Sequence, residues 1–232
     1  MTRIALIGDL HGNKPATLAL EEDLKKRNVD RIWCLGDIVG KGPDSAFTCD
    51  WARAHCEIIL SGNWDEGVAL RQFPRDSYYW DQLGEERMRY LTTLPREMEC
   101  WFSGAHIRMF HGRHVMEKLL QLYADEEEWG PYFKPDFDTI LYADAHKHGL
   151  RLLRYGRRLV NSGSVGNGTG FNQVQYCIME GEEGAKEKSP LLFTFIAVPY
   201  DYEQAARDAE NTELPGREAY MNEVRTGVYS RR

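Results

Sequence analysis

The chain has 232 residues, 42% of them hydrophobic and 28% charged, which supports one sizeable core and excludes a disordered chain. A formal net charge of −7 repels polyanions in general and counts against a dedicated duplex-DNA binder, though a local basic patch can still act. No apolar run approaches the roughly 20 residues of a membrane helix, and MTRIALIGDLHGN lacks the apolar core of a signal peptide, so a soluble, cytoplasmic protein is expected.

Residues 3–8, RIALIG, read as a strand buried on both faces that stops at a polar loop. Asn13 is an N-cap with Pro15 in the first turn, and Ala16, Leu20 and Leu24 recur at helical spacing. Residues 31–36, RIWCLG, form a second strand before the loop DIVGKGP. A helix from Asp44 then leads to a third strand at 57–60 and the loop SGNWDE. This strand–loop–helix repeat puts each loop at a strand's C-terminal end, where open α/β sheets bind ligands.

Further on, 84–94 reads as a helix stopped by Pro95, and 97–102 with 106–110 as a hairpin across Ser-Gly. Residues 115–123 are predicted helical and 124–135, with the acidic run 125–128, an exposed loop. A strand at 139–142 opens onto ADAHKHG. Segments 150–155, 158–160, 174–179 and 191–198 suggest a second, mostly antiparallel set, closed by helices at 201–209 and 218–224. No repeat or linker marks a boundary, so residues 1–232 are expected to form a single domain. The five cysteines are scattered without a C-x-x-C pair, which argues against a disulfide framework and a zinc ribbon.

The chemistry gathers at the strand ends. His11, His111, His146 and His148 follow predicted strands directly, as do Asp9, Asp37 and Asn63. Imidazole, carboxylate and amide oxygen without thiolate are the donor set of a borderline or hard divalent metal. In Asp9-x-His11 and His146-x-His148 the spacing aims both side chains one way if the segment stays extended. A lone histidine is more often structural, and His55 and His106 are read that way. The glycine-rich stretch 163–170 lacks the Lys-Ser/Thr of a P-loop and reads as a tight turn near the site.

In order, GDLHGN (8–13), GDIVGKGP (36–43), GNWDE (62–66), FHG (110–112), AHKH (145–148) and NSGSVG (161–166) resemble the calcineurin-like metallophosphoesterase superfamily, closest to its small bacterial and archaeal phosphodiesterase-type members. The resemblance implies an α/β fold, a two-sheet β-sandwich flanked by helices in four layers. It also implies two divalent metal ions, manganese first, with iron, zinc, nickel or magnesium as alternatives. Asp9, His11 and His148 would hold one, Asn63, His111 and His146 the other, and Asp37 would bridge them. A metal-bridging hydroxide would then attack phosphorus in line. Asn13 either touches substrate or caps its helix, and the cap is favoured. Residues 113–135 lie between two ligand loops and are expected to shape the substrate pocket, with Arg113 as a substrate contact.

The chain departs from the family where GNHD has become Gly62-Asn63-Trp64-Asp65. The missing histidine would help protonate the leaving oxygen, and an indole N–H cannot act as an acid. Trp64 therefore points toward good leaving groups, and toward a small nucleotide-type substrate such as a dinucleoside polyphosphate whose base it could stack. The competing reading packs Trp64 into the protein. His114 is a candidate replacement acid, set against a plain surface histidine. The expected activity is that of a metal-dependent phosphoesterase acting on phosphodiesters or phosphoanhydrides. The rival is a weak or inactive metal-binding scaffold that keeps the fold. No membrane partner is expected, nor a nucleic acid, since a Lys/Arg-rich, aromatic-laced stretch is missing.

Overall fold

The computed structural model describes residues 1–231; Arg232, the last residue of the expected 1–232 domain, lies outside the described residues. Strand β1 (Thr2–Ile7) shows period-two packing. Ala5 and Ile7 face the core beneath the helices, and Ile4 and Leu6 face a second core between two sheets. The same alternation splits β2 (Arg31–Cys34), with Cys34 under the helices and Trp33 between the sheets. Helix α1 (Lys14–Arg27) begins where Asn13 accepts from the Ala16 N–H at 3.1 Å and ends with Lys25, Lys26 and Arg27 in its last turn, as its dipole favours. Helix α2 (Ser45–His55), strand β3 (Ile58–Ile59), helix α3 (Asn63–Ala69) and helix α4 (Ser77–Leu91) complete the first third.

The expected hairpin is β4 (Glu97–Phe102) with β5 (Ala105–Phe110). After the short α5 (Glu126–Trp129) come β6 (Thr139–Tyr142), β7 (Gly149–Leu152), β8 (Arg158–Asn161), β9 (Val174–Gly181), β10 (Leu192–Val198), α6 (Tyr202–Glu210) and α7 (Arg217–Thr226). The first sheet runs β10-β9-β1-β2-β3 and the second β4-β5-β6-β8-β7. Both are mixed: β1, β2 and β3 are parallel, as are β5, β6 and β8, and antiparallel strands flank each trio. Helices cover the first sheet, the two sheets share a dry core, and residues 116–137 cover the outer face of the second, giving the four expected layers.

Three expectations change. Strands β9 and β10 join β1 in the first sheet rather than forming a second set, and β6 and β8 are parallel. No helix forms over 115–123. Val115, Met116, Leu119, Leu120 and Leu122 would fall within an arc of about 160° on a helix, an ordinary apolar face, yet the chain follows an irregular path that packs all of them onto the second sheet's outer core. The stretch 124–135 is not a free loop either. Asp125 and Glu127 stay exposed, but α5 and a 3₁₀ turn (Gly130–Phe133) bury Trp129 and Phe133 completely.

Asn13 is fully buried, and its Nδ2 donates to the Gly166 carbonyl at 2.8 Å, tying α1 to the 161–166 turn. Both ends of the amide are thus engaged in structure, which removes Asn13 from the substrate contacts. Asn13→Ala should lower stability by about 1–2 kcal/mol in urea unfolding, through the lost cap.

Candidate metal centre

The C-terminal ends of β1, β2, β3, β5 and β6 deliver polar side chains to one edge of the sandwich. Asp9, His11, Asp37, Asp144 and His146 all adopt left-handed backbone conformations, with φ between 48° and 61°. Such residues cost of order 1 kcal/mol each and persist where the surroundings over-determine them. Three imidazoles are oriented alike. Nδ1 of His11 faces the Val39 carbonyl at 3.3 Å, Nδ1 of His111 that of Leu35 at 2.8 Å, and Nδ1 of His146 that of Asn167 at 2.6 Å. Donation to a carbonyl assigns the Nδ1 proton and aims each Nε2 inward, where its lone pair can face a cation whenever that nitrogen is unprotonated.

Those nitrogens meet carboxylates. Nε2 of His146 lies 3.2 Å from Nε2 of His11 and 3.2 Å from Oδ1 of Asp9, which is 3.5 Å from Nε2 of His11. Nε2 of His111 lies 3.3 Å from Oδ2 of Asp37 and 3.9 Å from Oδ1 of Asp9. Two donor triads result, Asp9–His11–His146 and Asp9–Asp37–His111. Asp37 Oδ2 also lies 3.6 Å from Nε2 of His11, so both carboxylates reach across. Both Asp9 oxygens, Nε2 of His111 and Oδ1 of Asn63 are buried with no hydrogen-bond partner among the described residues. Buried polar atoms are costly when unsatisfied, and a divalent cation is the group this donor set fits.

The charges agree. Burial lowers the His11 pKa to about 4, with the Lys41 ammonium adding to the effect. Burial also opposes charge on His111, but the Asp37, Asp9 and Asp144 carboxylates outweigh it and raise its pKa to about 10. Burial disfavours the Asp37 anion, yet His111 and His11 hold its pKa down to about 2.

One expected ligand lies apart from the others. His148 lies outside the cluster, half-buried, with its ring 5.6 Å from Phe171 and 5.5 Å from Phe195. The segment does not stay extended, because Asp144 (φ 61°) and His146 (φ 56°) turn the chain before β7 begins. The same turns bring Asp144 Oδ1 to 3.9 Å from Nε2 of His111. The strand end thus presents Asp144-x-His146, two residues earlier than the expected His146-x-His148. His146 groups with Asp9 and His11 rather than with Asn63 and His111. The Asp9-x-His11 spacing, repeated as Asp144-x-His146, was the signal that could have found it.

Asp65 holds the frame. Its carboxylate accepts from the N–H groups of Asp37 (2.7 Å), Ile38 (2.9 Å), Val39 (3.3 Å) and Gly62 (2.8 Å), locking the loops after β2 and β3 together. Gly62 is required there, since a Cβ would lie 2.0 Å from Oδ1 of Asp37. Asn63 and His146 line a cavity of about 1100 Å³, together with Trp64, Arg113 and His114. Arg113 is partly exposed and paired through Nε and Nη2 with Asp144, with Nη2 at 2.6 Å from Oδ1. Trp64 is half-buried: its indole lies against Gly40, where a Cβ would come within 2.3 Å of Cε3, 6.0 Å from the Tyr79 ring and under the Arg231 guanidinium. Packing therefore claims much of the ring. His114 is not a free surface histidine; its Nδ1 lies 3.4 Å from Oε2 of Glu66, whose carboxylate is held by Arg96. His55 stacks on Trp51 and His106 on Trp101, as structural residues do. The 163–170 turn lies beside the centre, with the Gly166 N–H on the Asp9 carbonyl at 2.8 Å. No helix among the described residues is long and apolar enough to cross a membrane.

The description of a calcineurin-like phosphoesterase superfamily domain matches residues 2–184. An uncharacterized protein of Methanocaldococcus jannaschii is 26% identical, over 91% of this chain and 93% of its own length. A shorter match, 36% identical over 62 residues, covers 25% of this chain and 22% of a symmetrical bis(5'-nucleosyl)-tetraphosphatase of Methylobacillus flagellatus. Among solved structures, a metallophosphoesterase of Sphaerobacter thermophilus shares the fold with a TM-score of 0.75 and 24% identity, covering 98% of this chain and 99% of that one.

His146→Ala should weaken divalent-metal binding by more than about 100-fold, beyond what loss of an outer-sphere partner causes, while His148→Ala retains it; metal analysis after dialysis distinguishes them. The raised His111 pKa means that the metal-free protein carries that proton at neutral pH, and loses the attached ion-pair stabilisation as pH climbs toward about 10. Cation loading near neutral pH should therefore release about one proton, measurable by calorimetry in buffers of different ionisation enthalpy.

Proposed function

We propose, because the chain belongs to the calcineurin-like phosphoesterase superfamily, that it is a divalent-metal-dependent hydrolase of small nucleotide-type phosphodiesters or phosphoanhydrides. The observation that carries this reading is the convergence of unpartnered Asp9, His111 and Asn63 donor atoms with inward-facing imidazole nitrogens beside a cavity of about 1100 Å³. Asp9, His11 and His146 would hold one cation and Asp37, His111 and Asn63 the second, with Asp9 and Asp37 reaching both and Asp144 beside His111. Bound cations of this kind lower the pKa of water and neutralise phosphoryl charge. Manganese is the first metal to test, followed by iron, zinc, nickel and magnesium.

The protein's own groups would do the rest. Lys41, whose Nζ lies 3.2 Å from Nε2 of His146, and Arg113 on the cavity wall set positive charge against a substrate phosphate. Trp64 offers no proton to a leaving group, which favours phosphate over alkoxide departure. The partial likeness to a dinucleoside tetraphosphatase supports an anhydride in the same direction. His114, oriented by Glu66, is the remaining candidate acid on the cavity wall. A scaffold without turnover is the second reading, and Trp64 at the acid's usual place is what favours it.

With manganese, the wild type should hydrolyse a dinucleoside polyphosphate and an aryl phosphodiester, and a chelator should abolish both activities. Asp37→Ala should lower kcat/KM by about 10³-fold or more. Trp64→His should raise rates chiefly for alkyl esters, by up to about 10²-fold, and His114→Ala should lower them. A protein that binds metal yet turns over neither substrate favours the scaffold.

A further inference from the structure

We infer that residues 227–231 form the part of the cavity that selects its substrate, with Tyr229 receiving a nucleobase and Arg231 a phosphate beyond the scissile one. This rests on the phosphoesterase reading and narrows its substrate to nucleoside polyphosphates, dinucleoside polyphosphates included.

The segment leaves α7 through Gly227, whose carbonyl accepts from the Gly170 N–H at 2.9 Å, and lines the cavity along its length. Glu223, 3% exposed, anchors it by accepting from the Ser230 N–H at 3.0 Å and from Nε of Arg231 at 3.3 Å. Nη2 of Arg231 donates to the Lys41 carbonyl at 3.3 Å, and the guanidinium lies 5.8 Å from the Trp64 ring centroid. A guanidinium carries more donors than these contacts use, and its fork suits phosphate oxygens.

Charge complementarity identifies the ligand class. Within a chain of net charge −7, the cavity is lined by Lys41, Arg75, Arg113, Lys147 and Arg231 against only Asp76 and Asp144. Both carboxylates already face arginines, Asp144 with Arg113 at 2.6 Å and Asp76 with Arg75 at 3.7 Å. Arg231 in turn faces Glu223, so Lys41 and Lys147 are left without a carboxylate partner among the described residues, and these two cations with the spare donors of Arg231 suit a chain of phosphates better than a single one. Tyr229 lies on the same wall, 59% exposed, and its ring centroid is 5.9 Å from the Lys41 ammonium. A base stacked on Tyr229 therefore sits one side chain away from the cation nearest His146. Trp64 is the poorer platform, because Gly40 and Arg231 already cover its ring.

The test compares Tyr229→Ala, Arg231→Ala and Arg231→Lys with the wild type. One readout is kcat/KM for diadenosine tetraphosphate relative to bis(p-nitrophenyl) phosphate. The other is calorimetric binding of adenosine β,γ-imidotriphosphate. Both alanine variants should lower the ratio about tenfold, through KM, and weaken binding about as much, with Arg231→Lys intermediate. An unchanged ratio and unchanged binding in an active protein would overturn the inference and leave the phosphoesterase reading standing. Binding that depends on Tyr229 and Arg231 in a wild type without turnover would support the ligand site and sink the phosphoesterase reading. Should Arg231→Ala fail to fold, Tyr229→Ala decides alone, since its ring is mostly in solvent.

Discussion

A single carboxylate organises the candidate centre. Strand ends leave backbone N–H groups without ladder partners, and at a buried edge water cannot serve them. Asp65 takes four such groups, from Gly62, Asp37, Ile38 and Val39, and so sets the loops after β2 and β3 in one register. The arrangement is reciprocal: Asp37 Oδ1 accepts from the Trp64 N–H at 2.8 Å, one residue before Asp65. Burial and the Asp37 charge push the Asp65 pKa up to about 7, while its backbone bonds to Gly62 and Asp37 pull the other way. The positions of Asp37 and Asn63 and the place of Trp64 follow from this clamp.

Behind the clamp the sandwich supplies rigidity. Leu6, Trp33, Leu35, Met109, Leu141 and Val160 pack into one core between the sheets, immediately behind the loops that carry the histidines and carboxylates. Close packing there lets each histidine be aimed by a backbone carbonyl rather than by a mobile side chain. Left-handed conformations at five of the clustered residues are sustained by the same surroundings.

Much of this was legible in the residue order. Asp9, His11, Asp37, His111 and His146 stand out because each follows an apolar run, and strand ends are where polar residues in such runs must go; their ligand roles come from the resemblance alone. The layers were legible for the same reason. What escaped depended on backbone angles that spacing does not encode. The resemblance implies His148 as a ligand and does not single out Asp144; two left-handed residues turn the segment so that Asp144 and His146 face the centre and His148 does not. Residues 115–123 carry apolar residues that suit a helix on propensity, but the outer face of the second sheet attracts all of them. The pairing of β9 with β1 is a contact distant in sequence, which no local pattern announces. Trp64 was visible as a departure, but its packing against Gly40 and Arg231 needed the fold.

The donors come from both sheets, β1, β2 and β3 on one side and β5 and β6 on the other. His11 and His146, whose Nε2 atoms nearly touch, are 135 residues apart in the chain. A cation shared by such residues is a cross-link between the halves of the sandwich as well as a reagent. It would resist the sliding of one sheet over the other at the edge where the loops of both sheets meet. A cation bound by the folded chain alone would stabilise it by mass action and leave the unfolded chain unrestrained. Were the centre to hold a cation, cohesion of the two halves and its occupancy would be one property, set by the free metal concentration.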